Sequence, residues 1–352
     1  MRPLLPLLLL ALLLCTCDRA RKSRAEVWEE TVQDFFDQQG KTKHVIRGLA
    51  MGSYYHVTYL GDSLPRLQAS IDSLLDAYNQ ELSAWVPTSR LNAWNASENG
   101  LDLSATDHFF PNLDLALTIA ERTGGAYDPT VAPLVNYWGF GTGEKRESAD
   151  YDPAEITRLL AAVGTEHLTR DGDFLRNDNP ATMLDLNASA KGYGVDLIHQ
   201  LLDGRGRPNH LVDVGGEMRA GGDKEGTPWR VAIRLPDEDR GKIASAGTLP
   251  LSAGRAIATS GNYLNYYEVD GETFSHTINP RTGLTERNRL LSASVLGPDC
   301  ATADAYATAC MVLGPKKALE LIENTPNLEG YFLIRAANGV SLETMKSSGI
   351  AE

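Results

Sequence analysis

From residue 43 onward, apolar and polar positions repeat with two different periods. HVIRGLAMGSYYHVTYL (44–60) changes side at every second residue, as a strand does, whereas RLQASIDSLLDAYNQEL (66–82) repeats its apolar residues at helical spacing. Two further helices are predicted: FFPNLDLALTIAERTGG (109–125), ended by Gly124 and Gly125, and DPAEITRLLAAVG (152–164), opened by Asp152-Pro153 and closed at Gly164. Later segments are shorter and strand-like: HLVDVGGEMRAGG, WRVAIRLP, AIATSG, YYEVDGETFSHTI and LLSASVLG. Asp270-Gly271 inside the fourth of these is a hairpin signal. ADAYATACMVLG (303–314) is apolar enough for a buried helix. Hairpins mixed with helices imply an α+β fold with mixed or antiparallel sheets and packed helices. No internal repeat and no linker rich in Pro, Gly or Ser interrupts 43–352, which reads as one domain with room for two lobes.

The N-terminus has another character. MRPLLPLLLLALLLCTC carries one Arg and an apolar run from Pro3 to Leu14. That run falls short of the roughly 20 residues a bilayer span needs and matches a secretory signal core. Leu14-Cys15-Thr16-Cys17 resembles a bacterial lipobox, with Cys17 the residue to be lipidated because Thr16 is smaller than Leu14 at the preceding position. An uncleaved anchor and ordinary secretion are the alternatives. Residues 18–42 read as a charged tether with an amphipathic helical centre around Val27, Trp28, Val32, Phe35 and Phe36.

Composition narrows the chemistry. Apolar content of 42% and charged content of 22% belong to a folded chain, and a formal charge of -13 argues against a nucleic-acid surface. A bound phosphate then needs a local countercharge or a metal. If Cys300 and Cys310 share one helix, they stand about 15 Å apart, beyond the roughly 7 Å of a disulfide, so free thiols are expected. The absence of CxxC and the scatter of histidines argue against a structural zinc site.

Five constellations remain. Asp304 and Thr308 lie one turn apart on the same helix face, so their oxygens converge, as for a hard cation or a helix cap. AYDPTVAPLVNYWGFG is either an Asp-Pro turn before a packed aromatic loop or a wall for a flat aromatic ligand. In LDLNASAKGYGVD, Asp185 at a strand end leads through small residues to a helix bearing Lys191 and Asp196. A helix N-terminus there suits phosphate, although the P-loop pattern is absent and an ordinary turn with a solvated lysine would read the same. LVDVGGEMRAGG lacks the G-x-G-x-x-G spacing, and a hairpin through Gly-Gly explains it. In SHTINPRTG, His276 stands beside Ser275, Arg281 and Thr282, where it could move a proton or contact phosphate instead of serving structure alone.

Taken in order, MGS, AYDPTVAPLVNYWGFG, LDLNASAKGYGVD, LVDVGGE, AIATSGNY, SHTINPRTG and ADAYATACMVLG resemble the ApbE family, the FAD:protein FMN transferases, from about Gly48 to Gly314. The resemblance implies a T-fold-like catalytic domain. It also implies Mg²⁺-dependent transfer of the FMN part of FAD onto a threonine hydroxyl of a target protein, with AMP leaving. The metal would be held by Asp304, Thr308 and the backbone carbonyl of Ala188, an oxygen-only set that suits Mg²⁺. FAD contacts carry over to Met51, Trp85, Ala126, Tyr127, Asp128, Asp185, Lys191 and Ile278. His276 would accept the proton or organise the phosphoryl centre, and Lys191 and Arg281 would stabilise pyrophosphate charge. Ser53, Asn187-Ala188-Ser189 and Asn279 depart from the family's usual threonine, glycine-rich turn and aspartate. An FAD pyrophosphatase and a non-catalytic FAD-binding lipoprotein are the alternatives. The implied targets are flavoprotein subunits of membrane electron-transfer complexes, and the implied location is the periplasmic side of the bacterial envelope, at the inner membrane, anchored by lipid on Cys17.

Overall fold

The structure, a computed structural model, describes residues 35–36, 42–143, 148, 150–235, 245–262, 266–269, 272–338 and 341–350. The leader with Cys17, and the tether apart from Phe35, Phe36 and Thr42, lie outside the described residues. Those two phenylalanines form strand β1 (Phe35–Phe36) paired with Thr42 and Lys43, so the expected amphipathic helix has given way to strand at its end.

β2 (Thr42–Ala50) and β3 (Ser53–Leu60) correct the single alternating strand to a hairpin. Met51 and Gly52 turn the chain with φ of 53° and 71°, the positive values a two-residue loop demands at both positions. α1 (Leu67–Leu82) buries Leu67, Ile71, Leu75, Tyr78 and Leu82 at the predicted spacing. α2 (Arg90–Asn95) starts where the Ser89 hydroxyl accepts the Asn92 N–H, and β4 (Gly100–Asp102) follows. α3 (Phe109–Arg122) stops at the expected glycines, both at positive φ. α4 (Ala132–Tyr137) precedes α5 (Pro153–Leu160), where Asp152 accepts the Ala154 N–H as N-cap. β5 (Leu168–Asp171) and β6 (Phe174–Asn177) pair with β4 in a small sheet.

Next come α6 (Asn187–Gly204), β7 (His210–Val214), β8 (Glu217–Gly221), β9 (Trp229–Arg234), β10 (Ser245–Leu251), β11 (Ala256–Gly261), β12 (Tyr266–Val269), β13 (Glu272–Ser275), β14 (Leu290–Gly297), α7 (Cys300–Leu313), α8 (Pro315–Glu323), β15 (Glu329–Arg335) and β16 (Leu342–Lys346). A nine-stranded antiparallel sheet runs in the order β1-β2-β3-β7-β8-β11-β14-β15-β16. The fold is therefore α+β with antiparallel sheets, as the pattern implied.

Strand alternation sorts the sheet's two faces. Ala256, Ala258, Phe332 and Ile334 join the main core under α6 and α7, whereas Ile257, Leu296, Tyr331 and Leu333 pack beneath the β9–β10 hairpin. A third, smaller core gathers Leu134, Trp138, Ile156, Leu159, Phe274 and Ile278.

α7 is buried on nearly every side, and its start is held from two directions. Asp299 is its N-cap, accepting the Thr302 N–H at 2.8 Å. From α6, the Asp196 carboxylate accepts the N–H groups of Cys300 and Ala301 at 2.9 Å and pairs with the Arg219 guanidinium at 2.7 Å. Two carboxylates at one helix start thus satisfy three N–H donors that would otherwise be buried without partners. Asp304 sits one turn further in, so the cap alternative for it falls away. Cys300 and Cys310 are both buried free thiols on this helix, as their spacing required.

The two helices touch at Gly192, where a Cβ would lie 2.3 Å from the Cys300 carbonyl oxygen and 2.8 Å from Ala301 Cα. Neither obstacle is a flexible side chain. Gly192→Ala is therefore expected to lower unfolding free energy by about 1–3 kcal/mol in urea titrations; an unchanged midpoint would contradict the contact.

Candidate active site

A cleft of about 650 Å³ opens between the main core and the smaller one. Its floor comes from the first turns of α6 and the middle of α7, and its walls from residues 126–143 and the loop at 276–280. It gathers Trp85, Ala126, Tyr127, Asp128, Asp185, Ala188, Lys191, His276, Ile278, Asp304 and Thr308 from across the chain. Met51 is the exception. From the β2–β3 turn it packs against the core with its Sδ over Gly194, outside the cleft lining.

The floor concentrates charge. Asp304 is 2% exposed and accepts the Gly192 N–H at 3.0 Å. Lys191 donates from Nζ to Glu217 Oε1 at 2.7 Å. Burial pushes the Asp304 carboxyl up to about 7, against the pull of the Lys191 ammonium. Burial opposes the charge on Lys191, yet Asp304 and Glu217 together hold its pKa above the ordinary lysine value. Two acids therefore share one base, and Glu217 Oε2 is buried with no hydrogen-bond partner among the described residues. Beside them the Thr308 and Ser260 hydroxyls meet at 3.1 Å.

The walls are built by turn chemistry. Asp128 accepts from both the N–H and the hydroxyl of Thr130, at 2.8 and 2.6 Å, closing the Asp-Pro turn. Asp185 accepts the Asn187 N–H at 2.8 Å and donates its own N–H to the Pro129 carbonyl, which ties the two wall segments together. Burial raises both carboxyls above the usual range. Asp185 was expected at a strand end. It lies instead in an irregular link, and the small-residue turn after it is already the first turn of α6. Val131, Val135 and Phe140 give an apolar wall, and Trp85, 60% exposed, stands at the rim. His276 meets Phe140 edge-on, with ring centroids 6.4 Å apart.

Arg281 has a different task from the one expected. Its guanidinium donates to the carbonyls of Thr123 and Gly124 at the end of α3, and the Trp138 indole donates to the Gly283 carbonyl at 2.7 Å. These bonds fasten the loop bearing His276. Sequence reading also missed Glu217 and Ser260. The Gly-Gly before Glu217 does make a hairpin, as read, but an acid on the first position of a buried strand was the signal that it needed a partner.

The sequence model of the ApbE family matches residues 51–332, which take in every cleft residue named above. The chain belongs to the ApbE family. Among its ApbE relatives, the FAD:protein FMN transferase of Vibrio cholerae is 36% identical over 284 residues, covering 79% of this chain and 84% of that one. The protein of the same name from Haemophilus influenzae is 36% identical over 315 residues, covering 86% and 89%. The structure of the flavin transferase ApbE from Vibrio cholerae superposes with a TM-score of 0.78 at 32% identity, covering 88% of this chain and 98% of that chain.

The Lys191–Glu217 pair can be tested in isolation. Lys191→Met leaves the Asp304 and Glu217 carboxylates without the ammonium they share and should cost about 2–4 kcal/mol of unfolding free energy, discounted for the partial exposure of Lys191, whereas adding Glu217→Leu should recover part of that loss. Urea unfolding of both single variants and the double variant measures the coupling; additive losses would refute it.

Proposed function

We propose that this ApbE-family protein is an FAD:protein FMN transferase that moves the FMN part of FAD onto a threonine hydroxyl of a target flavoprotein, releasing AMP. The observation that carries this reading is the pairing, in one cleft, of a buried oxygen and ammonium floor with an apolar, aromatic wall. A dinucleotide with a flat ring system and two linked phosphates needs both halves at once, and the cleft's volume falls within the usual range for ligand sites.

The floor also fits Mg²⁺. The carboxylate of Asp304, the hydroxyl of Thr308 and the carbonyl of Ala188 would hold it, all hard oxygen donors. The surplus of acid over base and the orphaned Glu217 oxygen favour a further positive charge there. When bound, Mg²⁺ supplies neutralisation of pyrophosphate charge.

The chain's own groups do the rest. Lys191, kept protonated by its acidic neighbours, faces the cleft with charge complementary to phosphate. Val131, Val135 and Phe140 exclude water from one side of the ring system, and Trp85 offers its face at the rim. His276 accepts the hydroxyl proton at an imidazole nitrogen as the threonine Oγ bonds to the FMN-side phosphorus. The bridging P–O bond breaks in the same step, and its electron pair leaves with AMP. In this reading the enzyme works on the periplasmic face of the inner membrane, tethered through Cys17, where subunits of membrane electron-transfer complexes are its targets.

The test is to incubate the protein with FAD, Mg²⁺ and a flavoprotein subunit bearing the acceptor threonine, then to read fluorescence on a denaturing gel alongside AMP release. Labelled target and equimolar AMP are expected. Asp304→Ala should reduce labelling by about 10²-fold or more, and His276→Asn by about 10²–10⁴-fold. Free FMN with an unlabelled target would replace transfer by pyrophosphate hydrolysis, and neither product would leave a binding protein.

A further inference from the structure

The last two turns of α6 carry His199 and Asp203, four residues apart on one face, and His210 at the start of β7 packs against them. None of the three lines the cleft. His210 is fully buried and His199 nearly so, while Asp203 is exposed. Gly221 on the neighbouring strand makes room for the His210 ring, which a Cβ there would meet at 2.3 Å.

The hydrogen bonds dictate where the protons lie. His210 Nδ1 is 2.7 Å from the carbonyl of Arg207, which can only accept, so Nδ1 bears the hydrogen. Nε2 of that neutral ring is then an acceptor, and at 2.8 Å it takes the hydrogen of His199 Nδ1. His199 Nε2 is left with its lone pair 3.3 Å from Asp203 Oδ2, a second acceptor. Two lone pairs cannot face each other at that distance without a positive charge between them. A shared proton would draw the two atoms to the roughly 2.7–2.9 Å of a charge-assisted hydrogen bond, and they stand at 3.3 Å. Nearby guanidiniums do not supply the charge either: Arg205 donates to Ser70, and Arg207 to the carbonyls of Asp62 and Gly206. The helix end adds to the demand, since its last turn holds no basic residue and places Asp203 at the negative pole of the dipole.

We propose that His199 Nε2 and the Asp203 carboxylate form a binding site for a borderline divalent cation such as Zn²⁺, with His210 holding the His199 tautomer that exposes the lone pair. Metal bonds of about 2.0–2.1 Å to two atoms 3.3 Å apart enclose an angle close to tetrahedral. The remaining positions open to water on the exposed side of Asp203. His210 Nδ1, 3.9 Å from Asp203 Oδ1, stays out of the ligand set because its hydrogen is committed to Arg207. The scattered histidines that argued against zinc in the sequence thus meet in the fold. Ala188 and His199 are eleven residues apart on α6, about 16 Å, so the cation would sit well away from the cleft and fasten the end of α6 to the start of β7.

The full-length protein, stripped with EDTA and then held in excess Mg²⁺ to fill the oxygen-only site, is titrated with Zn²⁺ by calorimetry. One Zn²⁺ per chain is expected. His199→Gln should abolish that site, Asp203→Asn should weaken it at least tenfold, His210→Gln should weaken it about 10–100-fold by freeing the tautomer, and Asp304→Ala should leave it unchanged. Asp203 is exposed, so its variant tests the site without threatening the fold. No Zn²⁺ uptake by the parent protein, or equal affinity in Asp203→Asn, would overturn the proposal.

Discussion

The close crossing of α6 over α7 is the constraint on which the rest depends. Every group on the cleft floor belongs to one of these helices or is positioned by them: Ala188 and Lys191 from the first, Asp304 and Thr308 from the second. Only a glycine at 192 lets the backbones approach so closely, and Asp196 converts that approach into a fixed register by taking the first N–H groups of α7. Without that register, residues more than a hundred positions apart would not line one floor. The nine-stranded sheet serves as the platform that both helices bury against.

Charge on the floor follows from the same geometry. A carboxylate that must be buried to reach the crossing needs compensation, and Lys191 supplies part of it while being shared with Glu217. The arrangement is short of positive charge, since two acids share one ammonium and a Glu217 oxygen has no partner among the described residues. The apolar wall comes from a separate small core, so one cleft joins a charged floor to an apolar side built independently of it.

Much of this was legible in the sequence. Periodicity gave α1 and α3 together with their ends and α5 with its Asp152 start, because caps and glycines act locally, although α5 stops at Leu160, short of the expected Gly164. One-turn spacing put Asp304 and Thr308 on a common face. What the pattern could not carry was partnership between distant segments. Glu217 reads as a strand residue until Lys191 is placed beside it, Arg281 reads as a phosphate ligand until the end of α3 claims it, and Met51 reads as a contact until the hairpin turns it inward. The split of 44–60 into two strands was missed because the alternation continues across Met51-Gly52, and only their left-handed conformation marks the reversal.

The fastening of the His276 loop has one more implication. Two of its anchors are a guanidinium on backbone carbonyls and an indole on a carbonyl, neither of which gains or loses a proton in the range where proteins stay folded. These ties keep their strength whatever the acidity of the surroundings, so the segment's link to α3 and to the aromatic wall is the same wherever the protein is folded.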